Sequence, residues 1–236
     1  MNEEKFTGKA ALYEMSRPSY AQGAIDLIRS EIPLGEKVAD IGAGTGIFTR
    51  QLLSAGYKVY AVEPNADMRE RLLGCGAEVV CAPAEDTGLP DNSVSLVTAA
   101  QAFHWFDREK FRAECRRILV PGGKVLLLWN SEDRAYIIND IDALCRRYYV
   151  KYEPRREVHE DTGGFFTKHS EFVFRNDLVM DREHFIANRM SRSHAPRVTD
   201  KNYGEFENAL SELFDKYSSD GKITIPNITR GYFGTV

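Results

Sequence analysis

The most constraining feature of the sequence is a short apolar run that ends in an acid and then breaks into alternating glycines, at residues 37–48. Gly42, Gly44 and Gly46 allow the backbone to turn with positive φ and to approach a ligand without a Cβ in the way. The helix predicted after them, at about 47–54, points its first N–H groups into the same space. The stretch therefore predicts a buried strand, a tight loop and a helix N-terminus around a bound small molecule.

The spacing of these glycines separates two classes of ligand. A dinucleotide loop follows G-x-G-x-x-G and holds a pyrophosphate at the helix N-terminus. Here the pattern is G-x-G-x-G, residue 47 is Ile, and Asp40 precedes the first glycine. A carboxylate there repels a pyrophosphate and attracts an ammonium group. The nicotinamide-dependent oxidoreductases, which share the topology, are therefore disfavoured.

This stretch resembles motif I of the class I S-adenosylmethionine-dependent methyltransferases, D-x-G-x-G-x-G. The resemblance implies that Asp40 lies near the methionyl amino group of the cofactor. It also implies that the loop backbone lies along the amino-acid and ribose parts of the cofactor, at Gly42, Ala43, Gly44 and Gly46.

A second short strand, predicted at 58–63, also ends in an acid. Glu63 stands where a carboxylate can accept two hydrogen bonds from a ribose diol, and it disfavours a ribose that carries a 2′-phosphate. The helix that follows is predicted to begin at the cap Asn65 and to place Met68 against an adenine face. The other interpretation of Glu63 is an ordinary solvated acid at the end of a strand. It requires Asp40 and the glycines to stand at the right distance before Glu63 by chance.

Composition and charge indicate one α/β domain that acts on small molecules. The 236 residues are 43% hydrophobic and 28% charged, with a formal net charge of -4. This balance gives no general attraction to nucleic acid or anionic membrane. The apolar run at 125–129 is far shorter than the ~20 residues that span a bilayer. We therefore expect a cytoplasmic monomer or homodimer with no membrane partner, for which nucleic acid is a disfavoured partner.

The residues that commonly bind metals form no recognisable pattern in the sequence. The four cysteines have no C-x-x-C spacing, and we expect unpaired thiols in a reducing compartment. The five histidines form no zinc motif, so no metal is predicted.

The amino-terminal run Y-x-x-x-R-P-x-Y resembles a segment of the small-molecule methyltransferases similar to the trans-aconitate methyltransferases. In those enzymes the segment closes over the active site. The resemblance implies that Tyr13, Arg17 and Tyr20 face cofactor or substrate. The alternative is that both tyrosines pack and the arginine is solvated. A helix is predicted at 20–30, with Ser19 as its cap.

A turn-rich loop at 83–93 follows the third predicted strand, 78–82. It resembles the segment that binds adenine in the same family, which implies contacts from the backbone of Ala84 and the side chain of Glu85. The alternative is a solvated turn built from Pro, Asp, Asn and Gly.

The fourth predicted strand, 93–100, runs directly into the sequence Q-A-F-H-W-F at 101–106. Because ligands lie outside the carboxyl ends of parallel strands, this run should border the same crevice as the glycine loop. It resembles the motif after strand four of the same methyltransferases, and we assign Gln101 to the cofactor and His104 and Trp105 to the substrate. His104 is the candidate base; an orienting donor or simple packing are the alternatives.

The carboxyl-terminal half is predicted to add a substrate-side region to the core. Trp129 ends the fifth predicted strand, 124–130, and Arg192 lies in a loop on the substrate side. The basic and aromatic run at 146–156 could contact nucleic acid, but a solvated helix end is favoured because acids dilute its charge. The remaining predicted elements are helices at 107–119, 136–150, 181–190 and 200–217, and strands at 171–180, 222–225 and 229–236.

We therefore expect a single methyltransferase domain over 1–236, with an α/β Rossmann-like sheet. This sheet has seven mostly parallel strands, an antiparallel last strand and helices on both faces. A lid is expected at 1–30, the cofactor core at 36–130, the substrate side at 131–200 and a final helix and strand at 201–236. The expected activity is in-line transfer of a methyl group from S-adenosyl-L-methionine to a small molecule, hypothetically an acid. An RNA or other nucleic-acid methyltransferase and a non-catalytic cofactor-binding module are the alternatives.

Overall fold

Nine strands and seven α-helices form the part of the chain that the computed structural model describes, residues 18–133, 135–149, 162–192 and 195–236. The strands are β1 (Lys37–Ile41), β2 (Lys58–Val62), β3 (Glu78–Val80), β4 (Val94–Ala100), β5 (Leu119–Glu132), β6 (Lys168–Arg175), β7 (Leu178–Met180), β8 (Ile223–Ile225) and β9 (Asn227–Thr235). The helices are α1 (Gln22–Glu31), α2 (Ile47–Ser54), α3 (Ala66–Glu70), α4 (Arg108–Ile118), α5 (Tyr136–Tyr148), α6 (Arg182–Met190) and α7 (Tyr203–Tyr217).

Seven of the strands form one sheet in the order β3-β2-β1-β4-β5-β9-β6. Neighbours from β3 to β5 are parallel, whereas β9 is antiparallel to both β5 and β6. This order confirms the predicted Rossmann-like sheet with an antiparallel last strand. The strand order reverses between β1 and β4, which places a crevice outside the carboxyl ends of β1, β2 and β4.

Helices cover both faces of this sheet because the central strands are apolar on both sides. In β5, Val125 and Leu127 face a core built with α4, while Leu126 and Leu128 face a core built with α1 and α2. All four side chains are fully buried. Residues 125–129, read from the sequence as an uninterrupted apolar run, are thus a strand sandwiched between two helical layers.

The predicted addition to the core is a third apolar cluster formed by α5, α6, α7 and the small sheet of β7 and β8. Phe185 and Phe206 are fully buried at its centre. None of the described helices is long and apolar enough to cross a bilayer. None of the four cysteines forms a disulfide, and the described residues contain no group of three acids, histidines or cysteines that would hold a metal ion.

The first helix begins later than predicted, at Gln22 rather than Tyr20, and Ser19 does not cap it. The reason is tertiary pairing of the residues just before it. The backbone N–H groups of Tyr20 and Ala21 donate to the side chains of Gln51 and Thr229, at 2.9 Å each. These bonds hold the two residues outside the helix.

The single strand predicted at 171–180 is two strands that belong to different sheets. β6 pairs with β9 in the main sheet, whereas β7 pairs with β8. Between them Asn176 donates its backbone N–H to Asn227 (2.8 Å) and its side-chain amide to Ser19 (2.8 Å). Alternation of side chains continues through the break, and for this reason the pattern alone indicated one strand.

Gly231 in β9 provides a test of how tightly the antiparallel strand is packed. A Cβ built there lies 2.0 Å from the carbonyl oxygen of Leu127 and 2.8 Å from the ring of Phe172. We expect Gly231→Ala to lower the free energy of unfolding in urea by about 2–3 kcal/mol, since the strands must move apart. Gly204→Ala is the matched control in the first turn of α7, where a Cβ meets open space. It should raise stability by up to about 1 kcal/mol. Equal effects of the two changes would contradict the predicted close packing.

Candidate active site

The glycine loop between β1 and α2 forms the floor of the crevice. Gly42, Gly44 and Gly46 have φ of +67°, +57° and +85°, as the sequence predicted for such a turn. A Cβ at Gly42 would lie 2.6 Å from the Cβ of Ala102, whereas a Cβ at Gly44 would meet open space. The backbone N–H groups of Gly42 and Ala43 donate to the carbonyl of Val62 at the end of β2 (2.9 and 3.1 Å). The loop is therefore fixed on one side and open at Gly44.

Glu63, directly after β2, reaches this open side. Its Oε2 accepts a hydrogen bond from the backbone N–H of Gly44 at 2.8 Å, and its Oε1 accepts one from that of Asn65 at 2.9 Å. The residue is only 8% exposed. A solvated acid would show neither feature. Glu63 is thus held in place beside the glycine loop.

Asp40, at position four of β1, lies beneath the loop and is 1% exposed. Its Oδ2 accepts a hydrogen bond from the hydroxyl of Thr49 in α2 (2.6 Å), and its Oδ1 accepts one from the hydroxyl of Thr98 in β4 (2.8 Å). Burial raises the pKa of the Asp40 carboxyl to about 6, against the opposing effect of these two hydrogen bonds, and the nearby charge of Glu63 raises it further. A cation in the crevice would favour the ionised form.

The helix after Glu63 begins as predicted. Asn65 caps α3 by accepting a hydrogen bond from the backbone N–H of Met68 at 3.0 Å. Met68 is 3% exposed, which leaves little of its side chain on the surface. A ligand would have to contact it through a small opening between the loop and α3.

Several hydrogen bonds connect the loop at 83–93 to α4 and its cap. Glu85 accepts a hydrogen bond from the backbone N–H of Asp107, the cap of α4, at 2.7 Å. Thr87 donates its backbone N–H and its hydroxyl to Glu114, at 2.8 and 2.5 Å. Ala84 is 6% exposed. The loop is therefore held against α4 on one side, through its buried residues 84, 87 and 89, while its other residues remain partly or fully exposed.

The aromatic run after β4 divides between surface and core. Gln101 has the left-handed φ of +60°, which is uncommon for a residue with a side chain, and its Nε2 donates to the carbonyl of Asn130 at 2.8 Å. Phe103 is fully buried. His104 and Trp105 are exposed, with ring centroids 4.7 Å apart. The strained turn at Gln101 thus directs two aromatic side chains outward at the edge of the crevice.

Two predicted substrate residues are packed in the interior. Trp129 is 4% exposed and contacts the rings of Phe103 and Tyr232 edge-on, with centroids 6.4 and 6.2 Å apart. Its indole N–H is buried and makes no hydrogen bond within the described part of the chain. Tyr20 is 8% exposed and packs edge-on against Phe48 of α2 at 5.1 Å. The structure does not bring either ring to the surface.

Tyr13 and Arg17 lie outside the described residues, but the chain that leads from them is held firmly. The side-chain amide of Asn130, near the end of β5, donates to the carbonyls of Pro18 (3.4 Å) and Ser19 (3.1 Å). Gln51 of α2 donates to the carbonyl of Tyr20 at 2.8 Å. The end of β5 and helix α2 therefore both fix residues 18–20.

Arg192 lies immediately after α6 and is paired with an acid that sequence reasoning missed. Its Nη2 donates to Oε1 of Glu132, the last residue of β5, at 2.8 Å. Arg189, in the last turn of α6, donates to the same oxygen at 2.7 Å. Two arginines thus converge on one carboxylate beyond the carboxyl end of β5.

Other missed residues had weak sequence signals. Thr98 is a polar residue inside an apolar strand, and Thr49 lies nine residues after Asp40. Either could have suggested a buried hydrogen bond to that acid, because a buried carboxylate needs donors. No local pattern connects Glu132 with Arg189, since the pair joins residues 57 apart.

Comparison with known proteins places this geometry in context. A family model described as a methyltransferase domain matches residues 39–127. An uncharacterized methyltransferase of Mycobacterium tuberculosis is 40% identical over 131 residues, which are 54% of this chain and 53% of the relative, so the chain spans about half of its length. An uncharacterized methyltransferase-like protein of Schizosaccharomyces pombe is 31% identical over 198 residues, 79% of this chain and 77% of the relative. A solved structure assigned as a type II methyltransferase from Anaeromyxobacter dehalogenans has a TM-score of 0.67 and 24% identity, covering 93% of this chain and 97% of that one.

The raised pKa of Asp40 leads to a pH-dependent prediction. The folded state holds the proton of Asp40 more tightly than the unfolded chain does. The stabilisation from this difference is fully present below pH 3.8, the ordinary pKa of Asp, and is lost as pH rises through about 6. Above that pH the buried charge lowers the free energy of unfolding by about 3 kcal/mol relative to the protonated state. Asparagine keeps the shape and can pair with both threonine hydroxyls. We therefore expect Asp40→Asn to raise the melting temperature of the ligand-free protein at pH 8 by roughly 5 °C, with no gain at pH 4.

Thermal unfolding at a series of pH values measures this effect. Asp26→Asn is the control, because Asp26 is an exposed carboxylate on α1, and this change should leave the melting temperature nearly constant at every pH. A loss of stability in Asp40→Asn that is the same at pH 4 and pH 8 would show that the charge of Asp40 is not buried in the way described.

Proposed function

Because the chain belongs to the class I S-adenosylmethionine-dependent methyltransferases, we propose that it transfers the methyl group of S-adenosyl-L-methionine to a small molecule. The observation that carries this proposal is the arrangement of the glycine loop between two acids. Glu63 is bonded to the backbone of Gly44, Asp40 is buried below, and the loop is open at Gly44. A nicotinamide dinucleotide would bring its pyrophosphate close to the carboxylate of Asp40, whereas S-adenosyl-L-methionine brings positive charge.

The residues of the loop fit the cofactor part by part. Glu63 is suited to accept hydrogen bonds from both ribose hydroxyls, and the glycine backbone at 42–46 would lie along the amino-acid and ribose parts. The charge of Asp40 would favour the cofactor's ammonium group through the loop, since its own oxygens already accept bonds from Thr49 and Thr98. Ala84, Glu85, Asn65, Met68 and Gln101 are proposed to line the adenine and sulfonium ends.

S-adenosyl-L-methionine supplies a methyl group already activated by its sulfonium centre. The protein needs no nucleophile of its own and must align donor and acceptor in line while excluding water. The aromatic side chains after β4 suit this task. Trp105 is 42% exposed and could cover the transfer path, and His104 beside it could take or orient a proton of the acceptor.

The acceptor is proposed to be a small carboxylic acid bound at the carboxyl ends of β4 and β5. Arg192 supplies the positive charge for it. The buried indole N–H of Trp129 has no partner among the residues that the structure describes, and this supports a polar acceptor nearby, because a buried donor without a partner is otherwise costly. Tyr13 and Arg17 are proposed to complete this site as part of an amino-terminal lid segment that is anchored at residues 18 and 19, whereas Tyr20 is packed in the core.

Isothermal titration with S-adenosylmethionine, S-adenosylhomocysteine and NAD tests the cofactor assignment. We expect the first two to bind and NAD to give no heat. Glu63→Ala should weaken binding about 10- to 100-fold, because bonds to a charged acceptor are lost. Glu70→Ala is the matched control, an exposed acid on the neighbouring helix α3, and should bind as the unaltered protein does. Binding of NAD alone would refute methyl transfer and indicate redox chemistry.

A further inference from the structure

The strand β6 forms one edge of the main sheet, and no other described strand pairs with its outer side. It is eight residues long, whereas β3 at the opposite edge has three. Val173 in its middle is an apolar side chain that is 60% exposed. Edge strands of soluble proteins are usually short or covered, because their free N–H and C=O groups pair readily with another strand. The outer side of β6, which we call the open edge, is therefore a candidate interaction surface.

The pairing of β6 with β9 shows which backbone groups of β6 are free. Asn176, just after β6, donates its backbone N–H to the carbonyl of Asn227 at 2.8 Å and continues the register of the two strands. In an antiparallel ladder, the pairs that exchange such bonds recur at every second residue. The even-numbered residues of β6 therefore bond to β9. The N–H and C=O groups of the odd-numbered residues, which include Glu171, Val173 and Arg175, point to the open edge.

The side chains of these three odd-numbered residues share one face of the sheet, and all three are exposed. The side chains of Phe172 and Phe174 lie on the other face, where their stacked rings pack against the core formed with α1 and α2. β6 is thus anchored from one face, and its exposed face is free to contact a partner without loss of core packing.

Glu171 and Arg175 carry opposite charges at equal distances on either side of Val173. Glu171 forms no ion pair with any residue that the structure describes. Arg175 donates its Nε to Asp177 at 2.6 Å, and its side chain is 80% exposed, so its terminal Nη groups remain open to a further acceptor. A row of like charges would repel an identical strand, whereas this symmetric pair of opposite charges attracts one.

We propose that the open edge binds a second copy of this chain, with the two β6 strands antiparallel and centred on Val173. Glu171 of each copy then lies opposite Arg175 of the other, and the facing residues exchange about six backbone hydrogen bonds. The two seven-stranded sheets become one continuous sheet across a two-fold axis. This assembly goes beyond the proposed function and does not depend on the identity of the cofactor or the acceptor.

Charge selects this register over its neighbours. A two-fold pair must place odd-numbered residues opposite odd-numbered residues, because only these have free backbone groups. Centring the pair on Phe172 places Glu171 opposite Val173, and centring it on Phe174 places Glu171 opposite Asp177. Both alternatives lose the two ion pairs, and the second brings like charges together instead.

Sedimentation velocity over about 2–200 µM protein tests the proposal, at a salt concentration of about 0.15 M. We expect the unaltered protein to form a dimer as its concentration rises. Glu171→Arg and Arg175→Glu should each weaken the dimer by about tenfold or more, since each change creates two pairs of like charges. An equimolar mixture of these two variants should associate as the unaltered protein does, because every Arg then lies opposite a Glu.

Glu207→Arg is the matched control, because it makes the same change of charge at an exposed position of α7. It should leave association unchanged. Val173→Pro provides a second test, through the backbone. It removes an N–H group that faces the open edge and none that bonds to β9, so the dimer should be lost while the fold is kept. The far-UV circular dichroism spectrum measures whether each variant is folded.

A protein that remains monomeric at about 200 µM would overturn the proposal. A dimer that forms equally well in Glu171→Arg, or in a folded Val173→Pro variant, would also overturn it, because the interface would then lie elsewhere. Failure of the two folded charge variants to associate with each other would reject the register centred on Val173. A loss of association in Glu207→Arg as large as that in Glu171→Arg would show that net charge, and not the open edge, controls assembly.

Discussion

The buried carboxylate of Asp40 is the contact on which the crevice depends, because it joins three elements where the glycine loop begins. Thr49 of α2 and Thr98 of β4 both donate to it, so β1, α2 and β4 are held around one acid. Burial of this acid costs free energy that an apolar residue would not cost, as its raised pKa indicates. That cost is offset when a cation binds above the loop, which is consistent with a cationic cofactor in a methyltransferase.

The proposed acceptor end depends on polar contacts made by the last residues of β5. Asn130 is central to it: its carbonyl accepts from Gln101, and its side chain donates to residues 18 and 19. The strained turn at Gln101 and the entry of the amino-terminal segment are therefore set by one residue of β5. Glu132, two residues further, sets the position of Arg192. Under the proposed function, donor and acceptor would thus be aligned by residues at the ends of neighbouring strands rather than by loops alone.

The sequence predicts local structure correctly where a residue acts through its neighbours in the chain. The turn at 42–46 follows from its glycines, the cap at Asn65 from the helix after it, and the buried β5 from an unbroken apolar run. Hydrogen bonds and ring contacts between residues far apart in the sequence could not be predicted. Ser19 could not be rejected as a cap without Gln51 and Thr229, which hold the next two residues outside the helix. Trp129 ends an apolar strand near the acceptor, and only its edge contacts with Phe103 and Tyr232 reveal that its ring lies in the core.

Under the proposed function, the placement of charge along the crevice suits methyl transfer from a cation to an anion. Asp40 and Glu63 lie at the carboxyl ends of β1 and β2, whereas Arg189 and Arg192 lie beside Glu132 at the end of β5. Charges of the opposite sign lie close by at both ends, since Arg50 and Arg69 donate to the backbone carbonyls of Thr45 and Glu63. The buried acid Asp40 would favour the cationic donor on its side of the crevice, and the half-buried Arg192 would favour an anionic acceptor on the other. Under the proposed function, the same charges that select the two ligands also orient them for reaction.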